Sequence, residues 1–277
     1  MDPSEFSALI SLLDDTDPTV ESHVMSTLIS LGSDAIPQLE AAWEKQTDEL
    51  VQGRIEDIID TIQTSVTLEG LEDWKSMGGG SLLRGWFLVS RFQFPELDYI
   101  TYKNEINRLV NRIWLEFRSG MNLPEKLLVI NRMLFVRERF KLNRRSLFEP
   151  KNFFLNTLLD TKKGSPISLG ILYLILCEEL GLAIRGMAIP GYFVLMYQDN
   201  NNEFFVDVPN KGAFFMRKDL LRFVEEMNLQ GNIDDYIKPT NNLEIIIEWT
   251  KALANGYRQN KQPVRAERLQ AILDALE

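Results

Sequence analysis

A chain of 277 residues, 45% hydrophobic and 25% charged, has the length of about two domains and the composition of a protein with a sizeable core, which excludes a disordered chain. One cysteine excludes an internal disulfide, and one histidine beside it excludes a zinc site of the usual ligands. The net charge of −10 is uneven: residues 1–62 hold fourteen acids against Lys45 and Arg54, a net of −12, which leaves about +2 for the rest and argues against nucleic acid as a partner of the acidic segment.

The first residues, MDPSEF, lack a basic stretch. In the C-terminal half the longest apolar run, Ile171 to Cys177, falls far short of the roughly 20 residues of a membrane helix. With a single thiol, the expectation is a soluble, cytoplasmic protein with no membrane contact.

Within residues 1–62, Val20, Val24, Leu28 and Leu31 are spaced by four, four and three, and Val51, Ile55, Ile59 and Ile62 repeat that spacing 31 residues later. Such spacing predicts two amphipathic helices. Asp17-Pro18 and Asp48 mark their starts, Gly32 ends the first, and Ser33 or Asp34 is placed to cap the next. Short helices at a period near 30 resemble a HEAT-type fragment, whose apolar faces need a neighbour to be buried.

The run SMGGGS at 76–81 breaks the helical pattern. Helices are predicted over 82–91, 97–117 and 125–140, the second with Ile106, Leu109, Val110, Ile113 and Trp114 on one face. A short apolar segment follows at 155–160. From Ser165-Pro166 a helix runs to Leu180, apolar all round in its middle and therefore central. Three strands are predicted at 183–189, 193–197 and 203–208, with a turn rich in Asn between the last two. A helix over 217–227 and two more between Asn242 and Leu276 complete the chain. The last pair resembles a tetratricopeptide-type hairpin.

The fold class read from this order is α+β, mostly helical. Residues 1–75 form HEAT-like hairpins. A helical subdomain spans 76–147, and 148–277 holds the core with its small antiparallel sheet and C-terminal hairpin.

The block FEPKNFFLNTLLDTKKGSPISLGILYLILCEELGLAIRGMAIPGYFVLMY, followed by FFVDVPNKGAFF, resembles the SirB-type branch of the transglutaminase-like superfamily, and GWFLVSRFQFPELDYITYKNEINRL resembles that branch's helical N-terminal portion. The resemblance spans roughly residues 80–245. It implies a cysteine-protease-like core. It also implies a thiolate at the N-terminus of the buried helix, an imidazole on a strand after a Pro-Gly pair, and a carboxylate on the next strand to orient it. Carried over, those positions are Pro166 (within Ser165-Pro166), Tyr192 (in Pro190-Gly191-Tyr192-Phe193) and Asp207, so the thiol and the imidazole are both replaced.

No other residue restores them. Proline carries no nucleophile, and Ser165-Pro166 suits a helix start. His23 lies in the acidic segment, and Cys177 lies ten residues into the apolar helix, where core packing explains it. Tyr192 is placed to hydrogen-bond Asp207 across the hairpin, and a phenol of ordinary pKa about 10 is a poor base. The expected function is therefore a non-catalytic protein that binds a protein partner of unspecified identity, with no metal and no cofactor.

Two alternatives stand beside it. One is a hydrolase or acyltransferase with Ser165 or Ser168 as nucleophile, Lys162 or Lys163 as base, and Asp207 or Tyr192 in support. The other is a small-molecule or peptide-binding module at the same residues. Residues 132–163 carry nine Lys or Arg against three acids, a net of +6. Contact with the acidic N-terminal repeats is the preferred reading of that patch, and an anion at the Lys162-Lys163 helix start is the sharper one.

Overall fold

The computed structural model describes residues 2–189, 192–199, 202–226 and 237–277. It divides into two compact units, Met1–Gly70 and Leu71–Glu277.

In the first unit lie α1 (Pro3–Ser11), α2 (Pro18–Ser30) and α3 (Ile36–Lys45), and α4 (Glu49–Ser76) begins there and runs across the boundary. The Asp17 carboxylate accepts the Thr19 amide at 2.8 Å and that of Asp48 accepts the Leu50 amide at 2.8 Å, so both predicted starts hold. The two repeated apolar sets share one core: Val24, Leu28, Val51, Ile55 and Ile62 are buried in it, with Val20, Leu31 and Ile59 packed at its edge. The start of α3 differs from the expectation. Gly32–Ala35 form a 3-10 turn, and α3 opens with Pro37 in its first turn and no side-chain cap, so neither Ser33 nor Asp34 caps it. Arg54 ion-pairs with Glu21 at 2.8 Å and also donates to the Leu13 carbonyl, which ties α4 to α2 and to the end of α1.

The second unit carries α5 (Leu82–Ser90), α6 (Tyr99–Trp114), α7 (Leu123–Asn131), β1 (Lys141–Leu142), α8 (Leu155–Thr161), β2 (Lys163–Gly164) and α9 (Pro166–Glu179). After these come β3 (Arg185–Ile189), β4 (Tyr192–Gln198), β5 (Glu203–Asp207), β6 (Ala213–Phe215), α10 (Arg217–Glu226), α11 (Asn242–Gln259) and α12 (Pro263–Leu276). The fold is α+β and mostly helical, with an antiparallel sheet in the order β3-β4-β5-β6. No described helix is long and apolar enough to cross a membrane.

Helix α9 is the axis of this unit. Ser168 through Cys177 are all buried, as an evenly apolar helix requires. It packs on β3 and β4, and α5, α6 and α8 contact its other sides. Strand β4 fixes the two sheet faces by its alternation. Phe193 meets Gly170 of α9, whereas Val194 and Met196 join a cluster with Leu220 and Val224 of α10.

Of the residues on the apolar face of α6, Ile106, Leu109 and Ile113 are buried, whereas Trp114 at its end is 64% exposed. The α-helix predicted to reach 140 stops at Asn131 and continues as a π-helical turn, Arg132–Arg137. Two further pairings, of β6 with β5 and of β1 with β2 in a parallel two-residue ladder, have no counterpart among the predicted strands.

Candidate functional site

The start of α9 is built from backbone outward. Ser165 caps it, its Oγ accepting the Ser168 amide at 3.2 Å, and Pro166 follows in the first turn. Gly164 and Lys163 pair with β1, and the Ser165 amide donates to the Asn152 carbonyl at 2.9 Å, so the approach to the helix is held on two sides.

Both serines are fully buried. The Ser168 hydroxyl donates to the carbonyls of Asn152 at 3.0 Å and Phe153 at 3.1 Å, and the Ser165 hydroxyl lies 2.7 Å from Ser168 Oγ. The same Phe153 carbonyl accepts the indole N–H of Trp86 at 3.1 Å and of Trp249 at 3.0 Å. These hydroxyls are committed to structure.

Among the described residues no hydrogen bond joins Lys162 or Lys163 to either hydroxyl. Lys162 is the left-handed cap of α8 (φ 58°), ion-pairs with Glu105 at 3.3 Å and sits 4.8 Å over the Phe140 ring. Lys163 is exposed. The serine–lysine alternative finds no support in this geometry.

Tyr192 opens β4 opposite Ile189 and turns to the α10 face, where its ring lies 4.5 Å from that of Phe223. Burial raises its pKa, and the neighbouring Asp207 charge and the hydrogen bond to Asp207 raise it further. Asp207 in turn accepts the Asn210 amide on Oδ1 at 3.2 Å. Asp207 is thus the charged neighbour of Tyr192. Pro166 belongs to the helix on the other face of the sheet, which β4 addresses through Phe193 and not through Tyr192. Pro190 and Gly191, which carry part of the motif, lie outside the described residues, as do Asn200 and Asn201 of the predicted turn.

Cys177 is wholly buried, and burial is the first cause that holds its thiol well above the ordinary range, with the charge of Glu178 second. His23 is exposed on α2.

The basic stretch splits in two. Arg132 and Arg137 both bind Glu116 at 2.8 Å, Arg112 pairs with Glu138, and Lys162 with Glu105, all inside the second unit. The other group surrounds a pocket of about 440 Å³ lined by Lys141, Arg144, Arg145, Lys163 and Lys211. Sequence reading flagged Lys163 and the patch but missed the pocket. Lys211 comes from the turn after β5, distant in sequence, and local charge counting could not find it.

The family model of the transglutaminase-like superfamily matches residues 100–251, more than half the chain. The chain is 24% identical to the UPF0162 protein of Xylella fastidiosa over 187 residues, 65% of this chain and 66% of that protein's length. It is 27% identical over 124 residues to the UPF0162 protein of Vibrio cholerae, 45% of each. It is 30% identical to mouse F-box only protein 21 over 91 residues, 30% of this chain and 14% of that protein. No solved structure matches.

Proposed function

The chain belongs to the transglutaminase-like superfamily, and we propose that it is a non-catalytic member whose task is to bind another protein. One observation carries this reading. Each group placed where acyl-transfer chemistry would act is already occupied. Pro166 has no nucleophile, and Ser165 and Ser168 are spent on the carbonyls and amide around α9. Tyr192 is a half-buried phenol whose pKa is raised by its partial burial first and by the neighbouring Asp207 charge second, which leaves it a poor base.

A binding role draws on the surface. Trp114 and Leu115, at the end of α6, are 64% and 74% exposed, large apolar groups of the kind that anchor protein contacts. HEAT-like helices before the core and a tetratricopeptide-like hairpin, α11 with α12, behind it belong to the same reading. So does a cytoplasmic location.

Amine-transfer and peptidase assays on the purified full chain test the first half. The expected result is no turnover, and no iodoacetamide labelling of Cys177 until the protein is unfolded. Turnover that disappears in Cys177→Ala overturns the reading. For the second half, a partner captured from the native cell should be lost with Trp114→Ala/Leu115→Ala and retained with Tyr192→Phe and Asp207→Asn.

A further inference from the structure

We propose that the basic pocket is a binding site for a small phosphate-rich anion, of the chemistry of a nucleoside di- or triphosphate. The inference is independent of the catalytic reading, because the same cations would hold such a ligand whether or not any reaction follows.

Its ground is a contrast within one stretch of sequence. Arg132, Arg137 and Lys162 each have a carboxylate partner within 3.3 Å. Lys141, Arg144, Arg145, Lys163 and Lys211 have no ion pair among the described residues, and no acidic side chain lines the pocket they share. Five like charges around one concavity repel one another. A chain of net charge −10 has acids to spare, yet none is placed there. An anionic ligand supplies the missing countercharge.

The cations are also held in position by the backbone. In the parallel ladder Lys141 stands directly beside Lys163, with the Lys141 amide donating to the Lys162 carbonyl at 2.9 Å and that of Asn143 to Gly164 at 3.0 Å. Asn143 Nδ2 donates to Asn152 Oδ1 at 3.0 Å, which fixes the turn leading to Arg144 and Arg145. Lys211 stands in the left-handed region (φ 58°) beside Gly212, whose carbonyl accepts Asn131 Nδ2 at 2.9 Å. A Cβ on Gly212 would collide with the Asn131 side chain, so the turn that presents Lys211 needs glycine there. Two neighbouring arginines offer forked donors that match phosphate oxygens.

Size and floor set the ligand class. A pocket of about 440 Å³ lies within the roughly 300–1,000 Å³ of small-molecule sites. Phe140, Leu169 and Pro209 give it an apolar wall, which suits a ring system carried by the phosphates. Leu169 comes from the opening turns of α9, whose N-terminal dipole adds partial positive charge.

The test is calorimetric titration of the full chain with sodium tripolyphosphate and with ATP at about 0.1 M salt. Both probes should saturate at one per chain, ATP at least as tightly as tripolyphosphate. Arg144→Ala/Arg145→Ala should weaken both by about tenfold or more. Lys218→Ala/Arg222→Ala on α10, which removes the same charge elsewhere, should leave them unchanged, and circular dichroism verifies that both variants fold. Absence of saturable binding by either probe overturns the proposal. So does equal weakening by the two double variants, which would mean diffuse charge attraction without a site.

Discussion

The carbonyl of Phe153 takes three donors, from Ser168, Trp86 and Trp249, drawn from three separate helices. Its two indoles and the Phe154 ring also pack edge to face, Trp86 with Trp249 at 6.5 Å and Phe154 with Trp249 at 6.1 Å. The start of α9, where an active relative would place its nucleophile, is therefore a structural junction here. Ser168→Ala leaves the Phe153 carbonyl satisfied by the two indoles but takes a donor from the Asn152 carbonyl and the partner from the buried Ser165 hydroxyl, so the loss in urea unfolding should be about 1–3 kcal/mol. A loss near zero would mean that water replaces the hydroxyl and that the junction is looser than described.

Helix against strand is decided by one contact. A methyl group on Gly170 would collide with the Phe193 ring, so α9 and β4 approach closely only because the side chain is absent. Gly170→Ala should overpack this contact and cost about 1–3 kcal/mol. Gly53 in α4 meets nothing when given a Cβ, and there the better helix propensity of alanine should stabilise by about 0.5–1 kcal/mol. Opposite signs from one substitution in two helices, read in the same unfolding assay, check the packing directly. Elements with a strong local pattern are legible in the sequence: α2, the first half of α4, α9 and strands β3 to β5, with the cap at Ser165-Pro166. What escaped depends on distant partners. Residues 141–142 form a strand only because 163–164 lie beside them, and β6 is three residues long with no period to read. Trp114 fits the helical period of its neighbours, yet one position in that stripe runs past the edge of the core. The orientation of Tyr192 away from α9 needed the register of the sheet.

At the scale of the whole chain, charge is sorted by unit. The first seventy residues carry fifteen acids against Lys45 and Arg54, a net of −13, and with −10 overall the remaining residues sum to +3. Arg54 is already bound to Glu21, so little countercharge is left for the other carboxylates of that unit. Their mutual repulsion opposes its compaction and acts over a Debye length. Raising salt from about 20 to about 300 mM shortens that length from roughly 20 to roughly 6 Å and should stabilise the acidic unit. The second unit, nearly balanced and with its paired arginines on Glu116, gains nothing comparable and loses part of its ion-pair attraction. Hydrogen exchange followed by mass spectrometry reads the units separately in the intact chain. Amides of α2 and the first half of α4 should exchange more slowly at the higher salt, while those of α9 and α11 hold steady or quicken. Uniform slowing across both units would instead point to general salting-out of apolar surface, and the asymmetry of charge would then have no part in the stability of the fold.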